Sequence, residues 1–425
     1  MTAPATLAQR TPPPPAHVAS ATAAPKPRFD APDLVRGLVM VIMLLDHTRD
    51  FVHAGALQFD PTDLTQTTVP LFLTRWITHF CAPLFVFLAG MAAAFQLQRG
   101  KSVAELSAFL FKRGVWLCVL EVLVIRALMF WQFAPTFVFL QVIWALGVSM
   151  ICLAVLVRLT RPVAVIVGAA ILLGHNVLDG VSVPAWNGPD DALPTVSARL
   201  WMLLHQAGAF PVAGWPSPVA YSQYPVLPWI ALMALGWVLG GAYVRWSVDR
   251  RRGVLLKLGA ALTVAFVLLR AANVYGDPGP WAAQSSGAFT LLSFLNTEKY
   301  PPSLLFLLMT VGPGLILLAS VERTPGAGRG PLARALITYG RVPLFFYLLQ
   351  WAYAKTAGYT LARVAGHNTE LFFQNPGQWV DFADHGFGLG TTYAVWAVGV
   401  IALYLPCRWF ARVKARRRDW WLSYL

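Results

Sequence analysis

The stretch LVRGLVMVIMLLDHTRDFVH, residues 34–53, decides how this chain is read. Its apolar run from Leu38 to Leu45 has the makings of a membrane span, yet Arg36 stands before it and Asp46, His47, Arg49, Asp50 and His53 crowd its end. A charge at the centre of a membrane helix costs about 2.5–3.5 kcal/mol on insertion scales, so such residues turn toward a protein interior or a wet cavity and mark function. At 1.5 Å per residue, His47 lies about 16 Å along the axis from Arg36. Helical spacing puts Asp46, Asp50 and His53 on one stripe and sets His47 and Asp50 at i, i+3, within reach of each other. A carboxylate beside a histidine fixes its tautomer and raises its basicity, as a general base requires. Arg49 is placed to neutralise Asp46 or to grip an anion. The plainer alternative makes 46–53 the end of the span in headgroup water. Against it, Asp46 and His47 come only about a dozen residues into the helix, before a span is complete.

The rest of the chain supports a membrane reading. Of 425 residues, 57% are hydrophobic and only 12% charged, against about 25% charged in soluble domains. Ten apolar segments stand out as spans: 33–53, 77–97, 108–130, 136–158, 162–178, 224–245, 254–273, 302–321, 333–360 and 389–411. The segment 198–212 is apolar but too short to span and is expected to be interfacial or re-entrant. The expected fold is therefore an all-α polytopic helix bundle, with residues 1–29 as a disordered Pro- and Ala-rich cytoplasmic tail and 30–425 as one transmembrane domain. A net charge of +14 would suggest nucleic acid in a soluble protein. Here the basic residues sit in alternate short loops, including Arg99, Lys101, Lys112 and Arg113, then Arg250 to Arg252, then Lys414 and Arg416 to Arg418, whereas the opposite loops hold only Arg75, Arg199, Lys299 and Arg363. That asymmetry predicts an even number of spans with both termini cytoplasmic. The long, polar opposite loops (54–76, 179–223, 274–301, 361–388) are then the recognition face. The four cysteines are dispersed and form no CxxC, which indicates neither a disulfide nor a zinc site.

Four further stretches carry chemistry-bearing residues. His79 opens TRWITHFCAPLFVFLAG from the side on which His47 exits, so the two histidines could line one pocket; a helix-end histidine bonded to a carbonyl is the plainer alternative. In LNTEKYPPSLLF, Asn296, Lys299 and Tyr300 sit at the outer mouth, where Lys299 can hold a carboxylate or phosphate, or simply anchor the interface. In YSQYPVLPWIALMALG, Tyr224 and Trp229 can form an aromatic platform for a sugar ring or an interfacial belt. Arg341, in YGRVPLFFYLLQ, lies toward the same side as Arg36; two arginines there suit a nucleotide phosphate, or plain anchoring.

Taken in order, DLVRGLVMVIMLLDH, THFCAPLFVFLAG, YPVLPWIALMALGWVLG, KYPPSLLFLLMTVGP, GRVPLFFYLL and the closing WLSYL resemble the bacterial membrane proteins that share the heparan-α-glucosaminide N-acetyltransferase catalytic domain. The resemblance spans roughly 28–425. The spacing of Arg36 and His47 is also similar to the arginine–histidine signature of the wider transmembrane acyltransferase group, in which the histidine is the proposed catalytic residue. The resemblance implies an acyltransferase of the inner (plasma) membrane that moves an acetyl group from cytosolic acetyl-CoA, a cosubstrate and not a bound cofactor, to a hydroxyl or amine of an extracytoplasmic glycan. One departure stands out: the lysosomal enzyme carries its catalytic histidine in the first luminal loop, and the corresponding residues 54–78 here contain none. His53 precedes that loop and His79 follows it.

On this reading His47 or His79 takes the proton, Asp46 and Asp50 orient the base, Arg36 and Arg341 hold CoA phosphates, and Arg49, Tyr224, Trp229, Asn296, Lys299 and Tyr300 face the acceptor. No metal is called for. The expected partners are the lipid bilayer, an acyl-CoA and a glycan acceptor, with a homo-oligomer left open. The competing functions are a transporter or flippase for an anionic or glycan-linked substrate, using the same intramembrane charges as a path, and a structural membrane partner.

Overall fold

In the computed structural model, which describes residues 28–56, 58–132, 136–213, 215–323, 329–374, 385–417 and 419–424, the charged stretch is one unbroken helix, α1 (Asp30–Val52). The described chain is 69% helix and 4% strand. The expected second span is two helices, α2 (Val69–Thr78) and α3 (Cys81–Gln98), with His79 and Phe80 at the break. Pro83 explains the position: it has no N–H for the carbonyl four residues back, which is that of His79. Next come α4 (Val103–Leu120), capped by a reciprocal Ser102–Glu105 box, a π-helical turn at Glu121–Ile125, and α5 (Arg126–Phe130). The chain continues through α6 (Val142–Leu156), α7 (Arg161–Gly174), α8 (Val196–Leu204), α9 (Leu227–Tyr243), α10 (Val248–Ala272), α11 (Gly287–Leu295) and α12 (Leu304–Ser320). The segment 333–360 falls on α13 (Pro331–Arg341) and α14 (Pro343–Ala365), which meet at 93°. Val342, forced out of the α region by the proline that follows it, makes the corner (φ −129°, ψ 49°). The last long helix is α15 (Leu389–Arg416).

One expectation needs correction, and another is met only in part. The bundle is not purely helical: β1 (Phe137–Leu140), β2 (Gly208–Pro211) and β3 (Val219–Ser222) form a small mixed sheet in the order β1-β3-β2. Its first strand was expected to begin a span, and its second to end the interfacial segment. The run FVFL alternates between half-buried and buried positions, as a strand does. Among the described residues, four helices are long and apolar enough to cross a membrane, covering 69–98, 161–180, 248–272 and 389–416, and the bent α13–α14 pair makes a fifth if taken as one, so the expected ten spans are not confirmed. The helices α6, α9 and α12 are apolar but only 15–17 residues long, and α1 is excluded by its own charges. Residues 1–27 of the expected tail, and Arg418 of the basic C-terminal run, lie outside the described residues. Phe29 is packed, its ring 5.1 Å from Phe95 and beneath the Arg251 guanidinium at 4.4 Å.

Close helix contacts hold the site elements in place. α1 runs against α13 with no room for a Cβ: one built on Gly37 would sit 1.8 Å from the Leu336 carbonyl oxygen, and one on Gly340 would sit 1.8 Å from that of Asp33. Gly236 and Gly240 play the same part between α9 and α3, where a Cβ on Gly236 would lie 2.2 Å from the Phe87 carbonyl oxygen. The core built on α1, α3, α6, α9, α12 and α14 is continuous, and α1 passes through its middle.

Candidate active site

The last two turns of α1 carry a buried ion network. Asp46 accepts two hydrogen bonds from Nη1 of Arg75 on α2, at 2.9 and 2.8 Å, and one from the Thr78 hydroxyl at 3.0 Å. Arg49, one turn on, reaches Asp46 at 2.9 Å and Asp50 at 2.6 Å. Arg75 also donates to the Tyr300 hydroxyl at 3.3 Å. Arg49 and Arg75 are 4% and 8% exposed, a burial that charged side chains sustain only when paired. The expected role of Arg49 as the neutraliser of Asp46 is thus the one seen. His47 turns Nδ1 toward Asp50 Oδ2 at 3.7 Å, too long for a hydrogen bond but the right direction to leave Nε2 for a substrate. Its ring lies against Trp351 of α14, centroids 3.8 Å apart, and meets the edge of Tyr347 at 6.2 Å.

These groups line a cavity of about 500 Å³. His47, Asp46, Asp50, Arg49, Arg75, Tyr224, Lys299, Tyr300, Tyr347 and Trp351 all contribute to it, with Gln141 and Val142 from the start of α6. The expected aromatic platform is half realised. Tyr224 faces the cavity, its ring 5.2 Å from that of Tyr300, while Trp229 is fully buried behind it at 5.4 Å.

A second cavity, of about 520 Å³, opens at the other end of α1. Arg36 and Arg341 both line it, and sequence reasoning missed what joins them: Arg28, Arg99, Lys101, Arg113 and Lys414. Arg36 is held by Asp33 at 3.3 Å and donates to the Gly340 and Leu88 carbonyls. Arg341 remains 43% exposed beside Asp30. The C-terminal segment folds back here: Ser423 lines the cavity and its carbonyl accepts from Arg113, while Tyr424 packs on Phe109. In the sequence, Arg99, Lys101, Arg113 and Lys414 are assigned to topology. Only the folded chain gathers α1, α3, α4, α6, α13, α14, α15 and Ser423 around one space.

The two cavities are nearly end to end. On α3, Ala82 lines the first and Phe85 the second; on α14, Tyr347 and Leu344; on α6, Val142 and Ile143. Three helical residues span about 4.5 Å, so the wall between the cavities is about one turn thick. Glu121, 1% exposed in the π-helical turn, accepts the Trp144 N–H at 2.9 Å and so ties the start of α6 beside that wall.

His79 does not line the His47 cavity. Although its helix is adjacent, it lines a third cavity of about 350 Å³ with Asn296, Asp60, Arg270, Asp277 and Glu298, and that cavity shares Arg75, Lys299 and Tyr300 with the His47 cavity. Arg270 organises this loop region by donating to the Phe294, Ser293 and Gly279 carbonyls, and Asn296 donates to the Thr62 carbonyl. Burial pushes the Asp277 and Glu298 carboxyls above their ordinary values, against the hydrogen bonds that Ser303 and the Tyr300 N–H give them. Among the described residues no group of three or more His, Cys, Asp or Glu is placed to hold a metal ion.

A family model described as "Heparan-alpha-glucosaminide N-acetyltransferase, catalytic" matches residues 28–272. The match takes in α1 with both of its cavities' first residues and stops short of α12 to α15, which supply Arg341, Tyr347, Trp351 and Lys414. No curated protein matches the chain.

Proposed function

The chain belongs to the heparan-alpha-glucosaminide N-acetyltransferase catalytic family, and from that premise we propose that it is a membrane acyltransferase that takes an acetyl group from cytosolic acetyl-CoA and passes it to a hydroxyl or amine of a glycan on the opposite side. The observation that carries this reading is the pair of cavities stacked along α1, one ringed by seven cations and the other holding His47, with about one helical turn between them. A nucleotide bearing several phosphates suits the basic cavity, where Arg forks give bidentate, charge-assisted contacts. The acyl thioester at the far end of such a donor would then point at the wall below His47. On this topology both termini are cytoplasmic and the membrane is the inner (plasma) membrane.

Direct transfer follows from the geometry. His47 Nε2 takes the proton from the acceptor as its oxygen or nitrogen attacks the thioester carbon, and Asp50 holds the ring in the tautomer that leaves Nε2 basic. Asp46 does not face the reaction as a base: two arginines and Thr78 occupy its oxygens, and its role is to fix Arg49 and Arg75 around the acceptor. Tyr224, Tyr300 and Lys299 form the acceptor wall. His79 belongs to the adjoining polar cavity and serves the acceptor's approach.

The test is CoA-thiol release by the purified protein from acetyl-CoA across a panel of amino and neutral glycans. Release that depends on an acceptor supports the reading. No release with any of them, together with uptake of one of those glycans by protein-containing vesicles, would replace it with transport.

A further inference from the structure

The wall of the His47 cavity holds two buried hydrogen-bond donors that make no hydrogen bond of ordinary geometry among the described residues. Tyr347 and Trp351 stand one turn apart on α14, both line the cavity, and they are 1% and 2% exposed. Neither the Tyr347 hydroxyl nor the Trp351 indole N–H makes a hydrogen bond of ordinary length and angle among the described residues, although the two side chains interact with each other. Buried polar groups in folded proteins are nearly always met, and one left unmet bears the full cost of its desolvation. Trp229 and Trp237 also carry unmet N–H groups, but neither lines this cavity. What sets Trp351 and Tyr347 apart is that both rings pack on the same imidazole, the first tilted by 36° at 3.8 Å and the second edge-on at 6.2 Å. A base and two donors therefore meet at one place, above the wall that faces the basic cavity.

We propose that the Tyr347 hydroxyl and the Trp351 indole N–H are the oxyanion donors of acyl transfer, an inference that rests on the acyltransferase reading given above. In the step they serve, the acceptor's lone pair forms a bond to the thioester carbon, and its proton passes to His47 Nε2. The carbonyl π pair moves onto oxygen, where the two donors receive it. The pair then returns, the carbon–sulfur bond breaks, and the CoA thiolate leaves with the proton that His47 gives back. Donors fixed in a site closed to water favour the charged intermediate over the neutral thioester, because they need no reorganisation as charge develops.

The test measures kcat and KM for acetyl-CoA, with glucosamine as the acceptor probe, in wild type, Tyr347→Phe and Trp351→Phe. Each substitution keeps an aromatic ring and removes the donor. Alongside, each protein is titrated with S-ethyl-CoA, a thioether without the carbonyl oxygen, and its thermal unfolding is recorded. The expected result is a fall in kcat of about 100-fold for each variant. KM for acetyl-CoA and affinity for S-ethyl-CoA should stay within about twofold of wild type, as for an interaction made only in the transition state. The inference is overturned if a folded variant keeps kcat within about threefold, or if a lost kcat comes with an equal loss of S-ethyl-CoA affinity, which marks ring packing and not donation. If one variant fails to fold, the other decides. Wild-type protein that neither binds S-ethyl-CoA nor releases CoA from acetyl-CoA removes the acyltransferase reading itself, and this inference with it.

Discussion

The two ends of α1 solve opposite electrostatic problems with the same residue types. At the Arg36 end, seven cations surround a cavity of about 520 Å³, and the carboxylates that form ion pairs with them among the described residues are Asp30 and Asp33. At the His47 end, a cavity of about 500 Å³ has its arginines locked onto carboxylates: Arg75 on Asp46, and Arg49 on Asp46 and Asp50. The first is short of negative charge and is built to receive it. The second is internally neutralised, and its uncommitted polar groups are a histidine nitrogen, a phenol and an indole. On the function proposed above, the charge-hungry cavity is the donor site and the chemically poised one the reaction site.

That contrast can be broken from either side. The largest expected effect is from His47→Ala: kcat should fall about 10²–10⁴-fold, the usual worth of a positioned base, while acetyl-CoA affinity measured by equilibrium binding is unchanged. A matching loss of affinity would move His47 into the donor site. Next, Arg75→Ala should destabilise the protein by about 3–5 kcal/mol, because it strands the buried Asp46 carboxylate. Thermal unfolding in detergent checks this, and a shift no larger than that from an exposed arginine such as Arg334 would mean the network is not held as described.

The Arg36 end should behave differently. Arg36→Ala or Arg113→Ala removes a charge-assisted contact worth about 1.5–3 kcal/mol, so KM for acetyl-CoA should rise about tenfold or more while kcat holds. Initial-rate kinetics separate the two, and a fall in kcat at fixed KM would erase the distinction between the ends. The smallest effect sharpens the scaffold alone. Ser102→Ala opens the capping box of α4 and should cost about 1 kcal/mol with both kinetic constants unchanged.

How much of this was legible in the sequence follows the same division. The His47 end was readable because its residues are local: Asp46, His47, Arg49 and Asp50 lie on successive turns of one helix, and spacing alone predicts which of them meet. The basic end was half readable. Arg36 and Arg341 stood out, but Arg99, Lys101, Arg113 and Lys414 looked like topology marks, since their meeting depends on helices far apart in the chain. His79 shows the limit from the other direction: a sequence position next to the right helix did not determine which side of Arg75 it faces. The short helices α6, α9 and α12 and the strand at 137–140 were hidden by hydropathy, which registers burial in protein and burial in lipid alike.

The most direct measurement puts the two ends in separate compartments. Protein reconstituted in vesicles is given labelled acetyl-CoA on the side of the Arg36 end only and glucosamine on the other side only. The account predicts labelled acetyl on the sugar in the far compartment, CoA retained where it was supplied, and loss of both with His47→Ala. Glucosamine crossing the membrane unmodified, with acetyl-CoA left intact, would contradict it.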